Sequence, residues 1–345
     1  MTRTLNFAGR MIGGEYPPLV IAEIGINHDG VFERAVTMIE DAHTAGCECV
    51  KFQSHIIEDE MIYNDVVPGN ATESIWDMMN RCAFTLEQEM NLKKKTEELG
   101  MIYLSTPFSR ASADRLEAMG VHAYKIGSGE CNNIPLIEHI ASFGKPVILS
   151  TGMNGMDSVV RSASILETHG VEYALLHCTS MYPTPYEQVR LGAMQELMEQ
   201  FFEVPIGLSD HSMGNYTCFG ATALGACILE KHFTSDASWP GSDIPISINP
   251  RELADLIKGS KAIHQALGGT KNVLEGEQPC IAFAYSCVVT TQAVAQGEAF
   301  TMENIWVKRP GTGEILAADF TTVLGCTAVK DIPSGAQLKR SHIKL

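Results

Sequence analysis

The sequence predicts an α/β protein, a TIM (β/α)8 barrel followed by a small, mainly β domain. Three observations lead there. Eight short apolar runs, each ending in polar residues, alternate with helical stretches over roughly the first 280 residues. The runs are nearly continuous in apolar character, as strands covered on both faces by helices require. Beyond Leu267 the pattern changes to short β-like runs punctuated by Gly and Pro turns.

The eight runs are Leu19–Ile26 (LVIAEIGI), Cys47–Gln53 (CECVKFQ), Met101–Phe108 (MIYLSTPF), Ala123–Gly129 (AYKIGSG), Pro146–Met153 (PVILSTGM), Tyr173–Ser180 (YALLHCTS), Val204–Ser212 (VPIGLSDHS) and Cys227–Thr234 (CILEKHFT). Between them, Phe32–Ala45, Thr85–Leu99 and Ala111–Met119 have apolar positions at helical spacing. They stop at Gly46, Gly100 and Gly120, a common helix terminus. Eight such repeats fit a closed barrel better than an open sheet. No GxGxxG follows the first run, which weighs against a dinucleotide fold. Runs two and three start 54 residues apart, at Cys47 and Met101. The surplus, about Ser54–Arg81, contains the turn Pro68-Gly69-Asn70 and reads as a loop covering the catalytic face. The plainer reading is a surface insertion. The barrel is expected over residues 1–268, a linker over 269–280 and the small domain over 281–345. In the latter, β-like runs fall at Ser286–Thr291, Ile305–Lys308 and Thr327–Lys330. A domain of that size is marginal alone and is expected to dock on something.

Composition narrows the class. The formal net charge is −16, from 41 acidic and 25 basic residues, which argues against a nucleic-acid binder. No apolar stretch of about 18 residues exists to span a membrane. Met1–Arg10 lacks the apolar core of an export signal. The ten cysteines form no CxxC pair. Reduced, mostly buried thiols and a cytoplasmic location are expected.

In a barrel, reacting groups gather where strands end. All eight ends are polar here: Glu23 with Asn27-His28; Lys51 and Gln53; Ser105-Thr106; Lys125 and Ser128; Ser150-Thr151; His177, Thr179 and Ser180; Ser209-Asp210-His211; Glu230, Lys231 and His232. One such residue is easily a solvated end group, but the whole set is not. Lys51 and Lys125 with the hydroxyls of Thr106, Ser128, Ser150 and Ser209 have the chemistry of a phosphate site. Gly127, Gly129 and Gly152 beside them let backbone approach a ligand. His211 and His232, from adjacent strands, suit a borderline divalent ion such as Mn²⁺ or Zn²⁺. On pattern alone His177 is an equal candidate, although its apolar neighbours favour a core histidine.

These residues carry a resemblance. AEIGINH (Ala22–His28), Lys51-Phe52-Gln53, STPF (Ser105–Phe108), KIGSGE (Lys125–Glu130), STGM (Ser150–Met153), YPTPY (Tyr182–Tyr186), Ser209-Asp210-His211, EKHFT (Glu230–Thr234) and WVKRPG (Trp306–Gly311) together resemble the bacterial N-acetylneuraminate (sialic acid) synthase family. The last segment resembles that family's C-terminal antifreeze-like (SAF) domain. The resemblance runs in order along almost the whole chain. It implies condensation of phosphoenolpyruvate (PEP) with an N-acetylhexosamine to give a nine-carbon 2-keto acid and phosphate. By the same resemblance His211 and His232 correspond to Mn²⁺ ligands. Lys51, Thr106, Lys125, Ser128, Ser150 and Ser209 correspond to PEP-binding groups. Glu23, Asn70, Tyr182, Asp243 and Phe283 correspond to groups around the amino sugar, with Glu23 and Asp243 as candidates for its proton traffic. Arg309 corresponds to an arginine placed over a partner chain's barrel, so a domain-exchanged homodimer is implied. Two departures touch the substrate. Ser180 stands where close relatives have Asn, and the segment Trp239–Asp243 lacks the second Pro of a Pro-Gly-Pro-Asp pattern.

The expected activity is an N-acetylneuraminate synthase using N-acetylmannosamine. The alternative is a related synthase using a 2,4-diacetamido hexose, leading to legionaminic or pseudaminic acid. A Schiff-base aldolase using Lys125 and a sugar- or ice-binding protein are more distant readings. Adduct trapping and phosphate release separate them from the synthases.

Overall fold

The computed structural model describes residues 4–344. They form two compact units, divided between Leu267 and Gly268. The reading of Met1–Arg10 as free of a leader therefore falls partly outside the described residues.

The first unit opens with a hairpin, β1 (Leu5–Phe7) and β2 (Arg10–Ile12). Eight parallel strands follow: β3 (Leu19–Gly25), β4 (Cys49–Ser54), β5 (Ile102–Pro107), β6 (Tyr124–Ile126), β7 (Val147–Ser150), β8 (Tyr173–Cys178), β9 (Ile206–Asp210) and β10 (Ile228–His232). They are hydrogen-bonded in the order β5-β4-β3-β10-β9-β8-β7-β6, and β5 lies beside β6 to complete the ring. Each strand falls inside its predicted run, except that β4 extends one residue beyond it, to Ser54. Helices alternate with the strands and cover the ring from outside. Polar caps start several of them, as at Thr85, Ser109, Asn133 and Asn249.

The two-residue period of the strands sorts their side chains. Val20, Ala22 and Ile24 of β3 belong to the cluster shared with the helices. Leu19 and Ile21 belong instead to a second cluster with Cys49, Leu104, Ala123, Ile148, Leu176 and Ile228. That cluster fills the lower barrel interior, and Leu5, Phe7 and Ile12 of the hairpin close it from below. The hairpin is absent from the predicted elements because its strands are only three residues long. Going up the same inward register, the apolar residues give way to polar ones on most strands, while Leu176 of β8 leads to Cys178. Leu19-Ile21 leads to Glu23, Cys49 to Lys51, Leu104 to Thr106, Ala123 to Lys125, Ile148 to Ser150 and Ile228 to Glu230.

The long segment after β4 is not one loop. It holds two helices, Ile57–Glu60 and Ile75–Cys82. Ser74 caps the second by accepting from the Asp77 N–H at 3.1 Å. Ile57, Met78, Met79 and Cys82 are buried in a small cluster with Ile26. The Pro-Gly-Asn turn therefore joins two helices, and the segment read as a covering loop contributes Pro68, Asn70, Ile75, Met78 and Met79 to the wall of the cavity described below.

In the second unit β11 (Cys287–Thr290) pairs antiparallel with β12 (Ile305–Lys308), and β13 (Thr327–Ala328) with β14 (Ile343–Lys344). Val288, Phe300, Ile305, Ile332 and Leu338 lie in its core. The stretch read as a linker up to residue 280 already contains the start of a helix, Gln278–Ala284. Its Pro279 occupies the first turn, where proline starts a helix rather than interrupting one. All ten cysteines are free thiols. No helix among the described residues is long and apolar enough to cross a membrane.

Candidate active site

The inward polar residues enclose a cavity of about 400 Å³. Its floor is a buried ladder of alternating charge. Lys51 Nζ lies 2.7 Å from Glu23 Oε2 and 3.8 Å from Glu230 Oε2. Lys125 Nζ lies 3.8 Å from Glu230 Oε1 and donates to Ser150 Oγ at 2.7 Å. Ser209 Oγ donates to Glu230 Oε1 at 2.9 Å, and Lys51 to Thr106 Oγ1 at 3.4 Å. Glu230 thus bridges the two ammonium groups.

The ladder sets the charge states. Burial raises the Glu23 pKa to about 6 against the pull of Lys51. Burial works against the Lys51 ammonium, but Glu23 and Glu230 together raise its pKa above the ordinary value. Lys125 goes the other way, lowered by burial and by Lys51 although Glu230 opposes this. Burial would raise Glu230, but Lys125 and Lys51 outweigh it and hold the carboxylate ionised. Two buried amines, of which Lys51 is firmly held as a cation, thus stand beside donor hydroxyls, an arrangement suited to an anion that would stabilise the charge on Lys125 as well.

Backbone completes this side. The Gly152 N–H donates to Ser128 Oγ at 3.0 Å. A Cβ at Gly152 would lie 2.5 Å from Ser180 Oγ and 2.8 Å from Ser128 Oγ. Only glycine lets the chain pass this close to both hydroxyls.

Above the ladder stand His211 and His232, ring centroids 5.3 Å apart, with Tyr182 stacked on His211 at 4.1 Å. His211 Nδ1 lies 3.0 Å from the Thr179 carbonyl. In the neutral ring that contact places the proton on Nδ1 and leaves Nε2 as a lone pair. Burial works against protonation, but Cys178 beside Nδ1 raises the His211 pKa above the ordinary value. His232 Nδ1 is buried without a hydrogen bond, 3.7 Å from Asp243 Oδ2. Burial, with His211 close by, holds the His232 pKa well below the imidazole range. A neutral imidazole with an unused nitrogen is what a divalent ion requires, so this donor set fits a metal. Among the described residues no group of three or more His, Cys, Asp or Glu is gathered for one. The two imidazoles would hold the ion and leave the other positions to water and substrate. Asn70 Nδ2 donates to Asp243 Oδ1 at 3.2 Å, tying the segment after β4 to this wall.

Of the residues singled out from sequence, Glu23, Lys51, Asn70, Thr106, Lys125, Ser128, Ser150, Ser180, Tyr182, Ser209, His211, His232 and Asp243 all line the cavity. Phe283 and Arg309 belong to the second unit and are not among its lining residues. Phe283 lies largely exposed on the helix Gln278–Ala284. His177 points away, its Nε2 2.7 Å from the Val189 carbonyl, which is the core-histidine alternative. Asp210 and Lys231 also leave the cavity and pair with each other at 2.7 Å. Glu230 and Gln53 were read from sequence only as polar strand ends without a role, and His55, Glu60 and Cys178 were not singled out; all five reach the cavity. The signal for Glu230 was available, because it stands two residues before His232 on the same face of β10.

A strand-end cavity with an anion floor and a paired-imidazole edge, on a (β/α)8 barrel, defines a class of barrel enzyme. Residues 38–272 match the model of the NeuB family, and residues 285–344 that of the SAF domain. The chain belongs to the NeuB family of sialic acid synthase-like enzymes and carries a SAF domain at its end. It is 35% identical to the N,N'-diacetyllegionaminic acid synthase of Campylobacter jejuni, over 91% of this chain and 96% of that one. It is 33% identical to the human N-acetylneuraminate-9-phosphate synthase, over 87% of this chain and 85% of the relative. The crystal structure of N-acetylneuraminic acid (sialic acid) synthetase from Leptospira borgpetersenii, in complex with citrate, superposes with a TM-score of 0.74 at 33% identity. That match covers 81% of this chain and 96% of the other.

Proposed function

We propose that this enzyme joins PEP to an open-chain N-acetylmannosamine, giving N-acetylneuraminic acid and phosphate. The observation that carries the reading is one cavity holding both a two-lysine anion floor and a two-imidazole edge. Lys51, Lys125 and the hydroxyls of Thr106, Ser128, Ser150 and Ser209 hold the phosphate and carboxylate of PEP, with Ser180 at the rim. A divalent metal on His211 and His232, expected to be Mn²⁺, supplies Lewis-acid polarisation of the sugar aldehyde. The PEP methylene carbon attacks the aldehyde carbon, forming the new C–C bond. Water adds to PEP C2, and the C–O bond to phosphate breaks as the 2-keto group forms. Glu23, Asn70, Tyr182 and Asp243 orient the sugar, and Glu23 and Asp243 are the carboxylates placed to take or return its protons. Holding both substrates in one enclosure makes the bond formation effectively intramolecular.

The second reading is the same chemistry on a 2,4-diacetamido hexose. The identity with the Campylobacter relative favours it, as does the altered Trp239–Asp243 segment, since Ser242 and Asp243 line the cavity. The proposal also includes Phe283 as a group around the amino sugar and a cytoplasmic, domain-exchanged homodimer in which Arg309 serves the sugar of a second copy. Solution mass, and the sugar-side kinetics of R309A, test that part. The deciding assay is phosphate release from PEP by metal-stripped protein with Mn²⁺ restored, across a panel of amino sugars. Release with N-acetylmannosamine alone supports the first reading, and release with the diacetamido sugar alone supports the second. Release with neither overturns both.

A further inference from the structure

The wall beside Glu23 carries a buried cluster that the reaction above leaves unused. His55 follows β4 directly and is 3% exposed. Its Nδ1 lies 2.7 Å from Glu60 Oε2, and its Nε2 lies 3.0 Å from Gln53 Oε1. Gln53 Nε2 in turn donates to Glu23 Oε1 at 3.3 Å. Glu23 is the partner of Lys51. The line Glu60–His55–Gln53–Glu23 thus enters the charge ladder from the side.

Hydrogen-bond bookkeeping fixes the direction of each contact. An ionised carboxylate only accepts, so the Gln53 amide turns its NH₂ toward Glu23 and its oxygen toward His55. His55 Nε2 therefore donates to that oxygen, and with Nδ1 also facing an acceptor the ring in this arrangement carries a proton on each nitrogen, its charge met by the Glu60 carboxylate. Glu60, a carboxylate, accepts from Nδ1. An amide by itself is nearly symmetric in shape and turns over at little cost. In the turned form its oxygen faces Glu23, and the two acceptors repel. A donor fixed on the other side of the amide prevents this.

The structure holds that donor still. The His55 ring stacks on Phe108, centroids 4.8 Å apart and planes 13° from parallel. Glu60 ends the helix Ile57–Glu60, and that helix is pinned where Asp59 Oδ2 accepts from the Ala111 N–H at 2.8 Å. Ser54, next to His55, donates to the buried Glu89 carboxylate at 2.9 Å, which Arg115 also holds. Both ends of the short connection are thus fastened to neighbouring elements.

We propose that His55 and Glu60 are positioning residues, which lock the Gln53 amide and through it fix the Glu23 carboxylate toward the sugar. The proposal rests on the reading of Glu23 as a sugar-side group. Lys51, the PEP-side group that touches Glu23, also keeps Glu230 as a counter-charge, so the sugar side is disturbed while the PEP side holds.

The test uses the full-length enzyme with Mn²⁺ and the variants H55Q, E60Q and E60A. In H55Q, kcat/KM for the sugar is expected to fall about 10- to 100-fold, as misplacement of a substrate-orienting group does. The KM for PEP and the melting temperature are expected to stay unchanged. E60Q keeps an acceptor oxygen and is expected to lose less than E60A. Wild-type kinetics in H55Q overturn the proposal. So does a parallel loss for both substrates with a lower melting temperature, the mark of a merely structural role. A crystal structure of H55Q reads the Gln53 amide directly, whatever the activity. An amide displaced from Glu23 is expected, and one still donating to Glu23 refutes the proposal. If the wild-type protein turns over no sugar, the functional reading fails, and the Gln53 position still decides this inference.

Discussion

Replacing Glu230 with Gln tests the charge ladder most directly. The carboxylate sits between two buried ammonium groups, 3.8 Å from each, and accepts from Ser209. The substitution keeps the shape and removes the charge, leaving Lys51 and Lys125 with Glu23 alone. Removing one partner of a buried ion pair costs about 3–5 kcal/mol. At about 2 °C per kcal/mol for a unit of this size, the melting temperature should fall by about 6–10 °C. The pH dependence gives a second handle. The folded pKa of Glu230 lies below the ordinary value. Its stabilisation is therefore complete above the unfolded carboxylate pKa and is lost as pH falls through the folded one. The gap between wild type and E230Q should then be full at neutral pH and close in acid. Inorganic phosphate or PEP supplies the missing negative charge, so either should raise the melting temperature of E230Q more than that of the wild type. Thermal melts with and without 10-fold series of each anion read both effects. A variant as stable as the wild type, or one that gains no extra protection from the anions, would refute the picture of Glu230 as a stand-in counter-charge.

Other outcomes follow from the same geometry. H211A and H232A should each abolish Mn²⁺-dependent phosphate release and lower bound manganese in equilibrium dialysis, with the barrel still folded by circular dichroism. Full manganese binding in both variants would remove the metal assignment. G152A places a methyl within 2.5 Å of Ser180 Oγ, and should raise the KM for PEP about 10-fold or more through misplaced hydroxyls, with the sugar KM little changed. His28 is buried and stacked on Phe84, and its pKa is lowered to about 3 chiefly by burial. Between that value and the unfolded value the unfolded chain binds a proton that the folded one does not. Stability should therefore fall on acidification from about pH 6.5 toward 3, by up to ~1.4 kcal/mol per pH unit from this group. Urea midpoints for the wild type and H28N across that range should converge at low pH, and parallel curves would contradict the assignment.

The barrel was legible in the chain because its physics is local. Each run between Leu19 and Thr234 is apolar enough to be covered on both sides, and each ends at a polar group where the strand leaves the core. The helices carried their own start and stop signals, as at Thr85 and Gly100. Residues such as Lys51, Ser128 and His211 stood out because a charge or hydroxyl at an apolar strand's end has no other common use. Shorter pieces were hidden. The hairpin at Leu5–Ile12 has too few residues for a period, and Ile75–Cys82 sits inside a segment whose Pro-Gly turn reads as loop.

Which polar strand ends face each other was decided only by the closed ring. Asp210, Lys231 and His177 look as reactive in sequence as Glu230, His211 and His232. Alternation sends the first three outward, where Asp210 pairs with Lys231 and His177 meets the Val189 carbonyl. It sends the others inward, where residues far apart in the chain lie within a few ångströms. The residue types were set by the sequence, because burial chemistry acts one residue at a time. The partners, and with them the charge states of Glu23, Lys51, Lys125 and Glu230, depend on distances that exist only when the barrel closes.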